Sequence, residues 1–213
     1  MERVSLTDQV VAELREDILG GVLRPGTSLR EVALSERFDV ARSTIREAVK
    51  GLVAEGLLSH EHHRGVVVIE HTVADVEDLL GARMMIERTI GAAGPHTHDA
   101  AAAALEAMQE AVRAKDWRAA ARADEEFHHG LVQALGSPRI AAFHSQMQAE
   151  MRLLLVTAEG REPETDKVAE HANLLELARA GDRDGYLAAA RRHLQRSRPT
   201  LLAVAKQPAD APS

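Results

Sequence analysis

Apolar residues recur at helical spacing in three short stretches near the start of the chain. Residues 6–20 place Val10, Leu14 and Ile18 four positions apart, which is the pattern of an amphipathic helix. A turn rich in Gly and Pro follows, and further helical patterns occupy SLREVALSERF and residues 41–56. This part of the chain is therefore predicted to form three short helices.

The pattern changes after the third helix to one that favours strands. In residues 57–71, LLSHEHHRGVVVIEH, Gly65 separates two short runs, and the residues after it are β-branched. Two helices with a tight turn between them, the second carrying basic residues, and then a hairpin form the layout of a winged helix-turn-helix. We therefore predict a winged helix-turn-helix domain over residues 1–71.

From residue 72 onward the pattern is helical with short breaks. Short connections favour antiparallel neighbours, so we predict an antiparallel α-helical bundle over 72–206, a tail without structure over 207–213, and a mainly α fold for the chain. The predicted helices are 73–93, 99–114, 116–136, 138–159, 164–180 and 182–205. The motif Thr72-x-x-Asp75 is predicted to cap the start of the first of them.

Composition narrows the classes of protein that this chain could be. The chain has 213 residues, no cysteine and a net charge of −7. The absence of cysteine excludes disulfides and thiolate metal sites and fits a reducing cytoplasm. No long apolar run predicts a membrane span. The acidic balance argues against general coating of nucleic acid, so any DNA-binding surface must be a local patch.

The third helix carries such a patch. Arg42, Arg46 and Lys50 recur every four residues and lie opposite a stripe that contains Ile45 and Val49. A recognition helix needs one packed face and one face of cationic donors for guanine edges and phosphates. Charges at this spacing are more often only a solvated face, and residues 1–70 hold 9 basic against 12 acidic residues. Charge alone leaves both interpretations open.

The order of motifs in this region closely resembles the DNA-binding domain of the GntR family of bacterial transcription regulators. The matching elements are Gly21…Pro25-Gly26…Leu29-x-Glu31, Arg42-x-x-Ile45-Arg46-Glu47-Ala48, Glu55-Gly56-Leu57 and Arg64-Gly65-x-x-Val68. The resemblance implies contacts to bases or phosphates from the third helix and contacts from the wing to the adjacent groove. The predicted DNA-binding residues are Arg42, Ser43, Thr44, Arg46, Lys50, His62, His63, Arg64 and Gly65.

Four positions depart from the family pattern. Ala41 replaces a small hydroxyl residue and so removes a helix N-cap, and Thr44 replaces a frequent proline. Asp39 replaces the turn glycine, which is tolerable because Asp accepts left-handed backbone better than most residues. Val32 stands where a basic residue is frequent, which removes one expected phosphate contact.

The helical region holds polar residues on apolar faces. Asp124 and His128 are four apart, so they stack on one helix face, and His171 and His193 each share a face with apolar residues. One such histidine is more often a satisfied core residue than a ligand. Three of them with one carboxylate favour a divalent metal, and the oxygen and nitrogen donors suit Zn²⁺, Ni²⁺, Mn²⁺ or Fe²⁺ without choosing among them.

Arg83 also interrupts an apolar stripe and needs a partner. Glu87, one turn later, would give an ordinary helix pair, whereas a carboxylate ligand would match the guanidinium fork. Asp124-x-x-Phe127-His128, Glu170-His171 and His193 look like the effector-binding domain of the FadR subfamily of GntR regulators. That resemblance implies a metal held by the Asp and three His, with a small carboxylate effector beside it and facing Arg83.

These observations predict a cytoplasmic, homodimeric transcription factor that is not an enzyme. Its two winged domains would bind a pseudo-palindromic operator on double-stranded DNA, and a small organic acid would modulate binding. On family habit we expect a repressor. The alternative is a metal-dependent hydrolase that uses the Asp/His₃ site to activate water, although that interpretation leaves the N-terminal pattern unused. A third possibility is a metal that only rigidifies the bundle.

Overall fold

The computed structural model describes residues 5–93, 98–157 and 166–205, and within them it contains nine helices and three short strands. The mainly α fold is confirmed. The predicted tail 207–213 lies outside the described residues, as do positions 158–165 at the ends of two predicted helices. The elements are α1 Leu6–Leu19, β1 Ser28–Leu29, α2 Glu31–Phe38, α3 Arg42–Ala54, β2 Leu58–Glu61, β3 Gly65–Val68, α4 Val73–Ala92, α5 Asp99–Ala114, α6 Trp117–Gln133, α7 Pro138–Thr157, α8 Asp166–Ala180 and α9 Arg183–Val204. Within this described part, no helix combines the length and apolar character needed to cross a membrane.

Side-chain caps set the starts of several helices. The Ser5 hydroxyl accepts from the Asp8 amide at 3.1 Å, while the Asp8 carboxylate accepts from the Ser5 amide, and together they form a capping box for α1. Thr72 and Asp75 make the same reciprocal pair before α4. Hydrogen bonds from Thr72 hold the pKa of Asp75 below its ordinary value. The Thr72-x-x-Asp75 cap predicted from the sequence is confirmed.

The wing is a three-stranded antiparallel sheet with the order β1-β3-β2. The hairpin β2–β3 pairs Leu58 with Val68 and His60 with Val66, as the strand-like runs predicted. Strand β1 was not predicted, because two residues are too few to show an alternating pattern. It pairs Ser28 with Val67 and so ties the segment before α2 to the wing.

Packing divides the chain into two compact units. The first contains the described residues up to Val76 together with the C-terminal ends of α7 and α9, and the second contains the remainder. The core of the first unit is aliphatic and buries the predicted stripes of α1 and α3. Leu153 of α7 is fully buried in this same core, so the first unit draws on a residue far along the chain.

In the second unit α5 packs against both α6 and α8. The approach of α5 to α6 is close at Gly130, where a Cβ atom would lie 2.5 Å from the backbone nitrogen of Ala101. No side chain fits in that space, so glycine permits this helix contact. It lies half a turn after His128 and thereby fixes the part of α6 that carries the histidine.

Candidate functional site

The face of α3 that carries Arg42, Arg46 and Lys50 is exposed, whereas Ile45 and Val49 on the opposite face are buried. The helix begins after Ala41, which makes no side-chain cap, and the turn before it contains Asp39 in the left-handed region with a φ of 50°. Both departures noted in the sequence are therefore accommodated without loss of the helix. Ser43 is exposed and Thr44 is half-buried at the start of α3.

The tip of the wing carries the other predicted DNA contacts. His62, His63, Arg64 and Gly65 are all exposed, and the two imidazole rings contact each other edge to face. Both His63, with a φ of 71°, and Gly65, with a φ of 75°, adopt left-handed backbone at this tight turn. Arg64 is tied back to the wing base, since its Nη2 donates to the carbonyl of Gly26 at 2.6 Å.

In the second unit, the predicted metal ligands come together from three helices. His128 lies on α6, His171 on α8 and His193 on α9, and one ring nitrogen from each lies within 4.8 Å of the others. The Nε2 atoms of His128 and His171 are 3.1 Å apart, and Asp124 Oδ1 is 3.1 Å from His171 Nε2. The first two histidines are buried, and the side chain of His193 retains 11% exposure.

Two histidines of the cluster, His171 and His193, each have one ring nitrogen in contact with an oxygen outside the cluster. These contacts orient the rings. His171 Nδ1 lies 2.5 Å from the Lys167 carbonyl, which only accepts, so Nδ1 carries a proton and Nε2 is the ring nitrogen turned toward Asp124 and His128. His193 Nδ1 lies 3.1 Å from the Glu170 carboxylate. Metal-binding histidines in proteins are typically held in this way by a carbonyl or carboxylate on their other nitrogen.

Two of the donor separations match those expected around a bound cation, and the three histidine nitrogens lie within 4.8 Å of one another. Two ligand atoms each about 2.1 Å from an ion and at right angles to each other lie about 3.0 Å apart, close to the observed 3.1 Å separations. Burial, followed by the charge of Arg83, lowers the pKa of His128 well below its ordinary value, which keeps the imidazole neutral and able to bind metal. Burial opposes ionisation of Asp124, but the hydrogen bond and charge of His171 outweigh it and lower the pKa of the carboxyl.

Arg83 is fully buried in a polar network. Its Nε donates to Glu87 at 2.9 Å, and its Nη1 donates to the side-chain oxygen of Gln148. The Tyr186 hydroxyl donates to the other oxygen of Glu87 at 2.6 Å. Of the two partners considered from the sequence, the structure shows Glu87. Because the pair is buried, it differs from an ordinary surface pair on a helix.

A residue that sequence reasoning missed is His144 on α7. It is completely buried, and neither ring nitrogen has a hydrogen-bond partner among the described residues. Burial lowers its pKa to about 2, and the nearby charge of Arg83 acts in the same direction. The available signal in the sequence was its helical spacing to Met147 and Met151, which are also buried. By contrast, His129 lies outside the cluster and contacts Ser145 at 3.0 Å, because adjacent residues on a helix point about 100° apart.

Two protein-family models match this chain, one in its N-terminal part and one in the remainder. The model of bacterial regulatory proteins of the gntR family matches residues 6–68, and the FCD domain model matches residues 78–196. The matches therefore contain, respectively, the exposed face of α3 with the wing and the cluster of Asp124 with the three histidines.

Two of the matched curated relatives are named transcriptional repressors. The chain is 26% identical over 186 residues to a probable D-xylose utilization operon transcriptional repressor of Paenarthrobacter nicotinovorans, and the match covers 85% of this chain and 82% of the relative. It is 28% identical over 161 residues to the gluconate operon transcriptional repressor of Bacillus licheniformis, which covers 73% of this chain and 66% of that protein.

Solved structures share the fold. A GntR transcriptional regulator from Rhodococcus sp. RHA1 superposes with a TM-score of 0.82 at 25% identity, and the match covers 94% of this chain and 99% of that chain. The E. coli protein McbR/YncC superposes with a TM-score of 0.77 at 22% identity, with the same coverage of 94% and 99%.

Proposed function

Because the chain belongs to the GntR family of bacterial regulatory proteins and carries an FCD domain, we propose that it is a repressor whose operator affinity is set by a small carboxylate bound at a divalent metal. The class of protein is a transcription regulator and not an enzyme. The observation that carries the finer proposal is the convergence of three imidazoles from α6, α8 and α9, with the Asp124 carboxylate 3.1 Å from one of them. Family membership also supports a homodimer on a pseudo-palindromic operator in the cytoplasm.

Asp124, His128, His171 and His193 would hold the ion. A divalent ion supplies a positive centre to which an effector carboxylate binds directly. Four protein ligands leave further positions of an octahedral ion open for such a carboxylate. Zn²⁺, Ni²⁺, Mn²⁺ and Fe²⁺ all accept this donor set, so the proposal names the class of metal and not the element.

The metal is tested by measuring it in protein purified without chelator and offered Zn²⁺, Ni²⁺ or Mn²⁺ at neutral pH. We expect one ion per chain by mass spectrometry and a rise in melting temperature on metal addition, because a ligand that binds only the folded state stabilises it. His193→Ala should lower metal affinity at least tenfold and abolish that rise. His129→Ala is the matched control, since His129 neighbours His128 in sequence but lies outside the cluster.

Acidification should release the metal, because each imidazole must lose its proton to bind. Protein that holds no stoichiometric metal under these conditions would contradict the proposal, and the four residues would then be a hydrogen-bonded polar core. Metal binding without any change in operator affinity on addition of organic acids would instead support a structural ion.

The DNA-binding part of the proposal rests on the exposed strip of α3. Arg46→Ala should weaken operator binding by about 1–3 kcal/mol if the arginine contacts a base, while helicity stays unchanged because the side chain is exposed. Binding isotherms at fixed salt concentration measure this loss. Unchanged affinity would exclude α3 as the helix that recognises the operator.

A further inference from the structure

Arg46 of the proposed recognition helix is held by a carboxylate from a different helix. Its Nε donates to Glu31 Oε2 at 2.8 Å. Glu31 is the first residue of α2, 15 positions earlier in the chain, so the contact depends on the packing of α2 against α3. The side chain of Arg46 is 62% exposed and that of Glu31 is 32% exposed, so the pair lies at the surface of the first unit.

The ion pair with Glu31 uses only the Nε atom of the Arg46 guanidinium, so its two Nη groups can contact DNA. Glu31 accepts from Nε, and no other contact occupies Arg46 in the described part of the chain. The two Nη groups form the fork that matches O6 and N7 of guanine in the major groove. A contact through Nε restricts rotation of the side chain while leaving that fork intact.

Glu31 also lies on the same face as the wing. It lines a cleft of about 630 Å³ whose other ionisable residues, Arg30, His60, His63 and Arg64, are basic or imidazole side chains. Glu31 is the only carboxylate among the lining residues of this cleft. A carboxylate on a face that meets DNA repels phosphates and so lowers the affinity for DNA. A contribution to sequence discrimination would offset that loss.

Folding stability does not account for this contact. Ion pairs with this much exposure contribute little to the stability of a protein, since solvent screens them and side-chain ordering opposes them. A pair of the same chemistry, Lys50 with Glu47, lies on α3 at 2.7 Å, with both side chains more than 60% exposed. That pair joins adjacent turns of one helix and so does not fix a side chain from a second element.

We propose that Glu31 is a positioning residue for DNA specificity: its carboxylate holds Arg46 through Nε so that the two Nη groups are presented to a guanine of the operator. The inference rests on the proposed function, because it requires that α3 recognises bases. It predicts that Glu31 contributes to discrimination at one position of the operator, the position that Arg46 contacts.

The test is selection from a randomised duplex DNA library by the full-length protein at one salt concentration, followed by sequencing. We expect the wild type to enrich a pseudo-palindromic motif, and Arg46→Ala to erase the base preference at one position of each half-site. Glu31→Ala should reduce the preference for guanine at that same position roughly tenfold while total DNA binding is kept or increased. Glu47→Ala is the matched control and should leave the motif unchanged.

Glu31→Gln separates positioning from charge. The amide oxygen still accepts from Arg46 Nε, so this variant should retain most of the guanine preference that Glu31→Ala loses. Both variants remove the same negative charge from the start of α2, so any effect on the helix dipole is common to them. Far-ultraviolet circular dichroism and melting curves verify that each variant folds.

Two results would overturn the inference. One is an unchanged preference in Glu31→Ala at the position that Arg46→Ala erases, and the other is an equal loss in Glu31→Gln and Glu31→Ala. Failure of the proposed function gives a different pattern, since the folded wild type would then enrich no motif at all.

Discussion

The buried imidazole of His144 makes a prediction about stability and pH. The side chain is completely buried, and both ring nitrogens lack a hydrogen-bond partner in the described residues. Burial lowers its pKa from 6.5 to about 2. The folded protein therefore keeps this group neutral at pH values where the unfolded chain binds a proton, so the group should destabilise the protein on acidification.

The magnitude follows from the two pKa values. Between them the unfolded state binds more protons than the folded state, so the free energy of unfolding rises with pH and falls as the solution is acidified. From pH 7 to pH 5 the linkage relation gives a loss of about 2 kcal/mol for this one group. The result does not depend on the exact folded pKa, provided that it lies well below 5.

The assay is urea denaturation of the wild type and His144→Leu at pH 7 and pH 5, with chelator present so that loss of a bound metal does not contribute. We expect the wild type to lose about 2 kcal/mol more than the variant over this interval. At pH 7 the variant should be about as stable as the wild type or more so, because leucine removes an unpaired polar group from the core. His129→Leu, in a half-exposed position, is the control. Equal losses in the wild type and His144→Leu would refute the reasoning, because the folded protein would then bind a proton at His144 as readily as the unfolded chain does.

Three further substitutions test the packing inside each unit, with Leu153 in the first unit and Gly130 and Arg83 in the second. Gly130→Ala should destabilise the protein by about 1–3 kcal/mol, because its Cβ would meet the backbone of Ala101 at 2.5 Å; an unchanged urea midpoint would show that α5 and α6 can separate without cost. Leu153→Ala should cost about 2–5 kcal/mol if the leucine fills the core of the first unit, and thermal unfolding measures the loss. Arg83→Ala should cost about 3–5 kcal/mol, because it leaves the buried Glu87 carboxylate without its cation. Replacing both Arg83 and Glu87 by leucine should recover most of that loss. Equal stabilities of the single and the double variant would contradict this account.

The elements of the fold were predictable because their signals are local. Helical spacing of apolar residues identified α1 and α3, and the Thr72-x-x-Asp75 motif marked the start of α4. The short strand β1 carries no such signal, since its pairing with β3 is decided by the partner strand. The burial of Leu153 in the first unit was also unpredictable, because spacing within α7 does not identify the residues against which it packs.

The sequence was enough to predict which residues form the candidate metal centre. It was not enough to predict how their side chains are oriented. An Asp and three histidines on apolar helix faces are costly to bury without partners, and that cost argues for a common ligand. The sequence could not show that Lys167 and Glu170 hold the outer nitrogens of His171 and His193, because those contacts depend on ring orientation. Nor could it show the pair between Glu31 and Arg46, which requires the crossing of two helices.

The spacing of Arg83 and Glu87 identified the partner of Arg83 but did not show whether the ion pair is exposed or buried. The spacing to Glu87 allowed an ordinary helix pair, which in water contributes a few tenths of a kcal/mol. In the structure the pair is buried and extended by Tyr186 and Gln148, so the same spacing now belongs to a network whose parts depend on one another. An effector carboxylate that binds Arg83 would meet a guanidinium that already donates to Glu87 and Gln148. Effector binding at Arg83 would therefore be coupled to the hydrogen bonds that link α4 to Gln148 of α7 and to Tyr186 of α9.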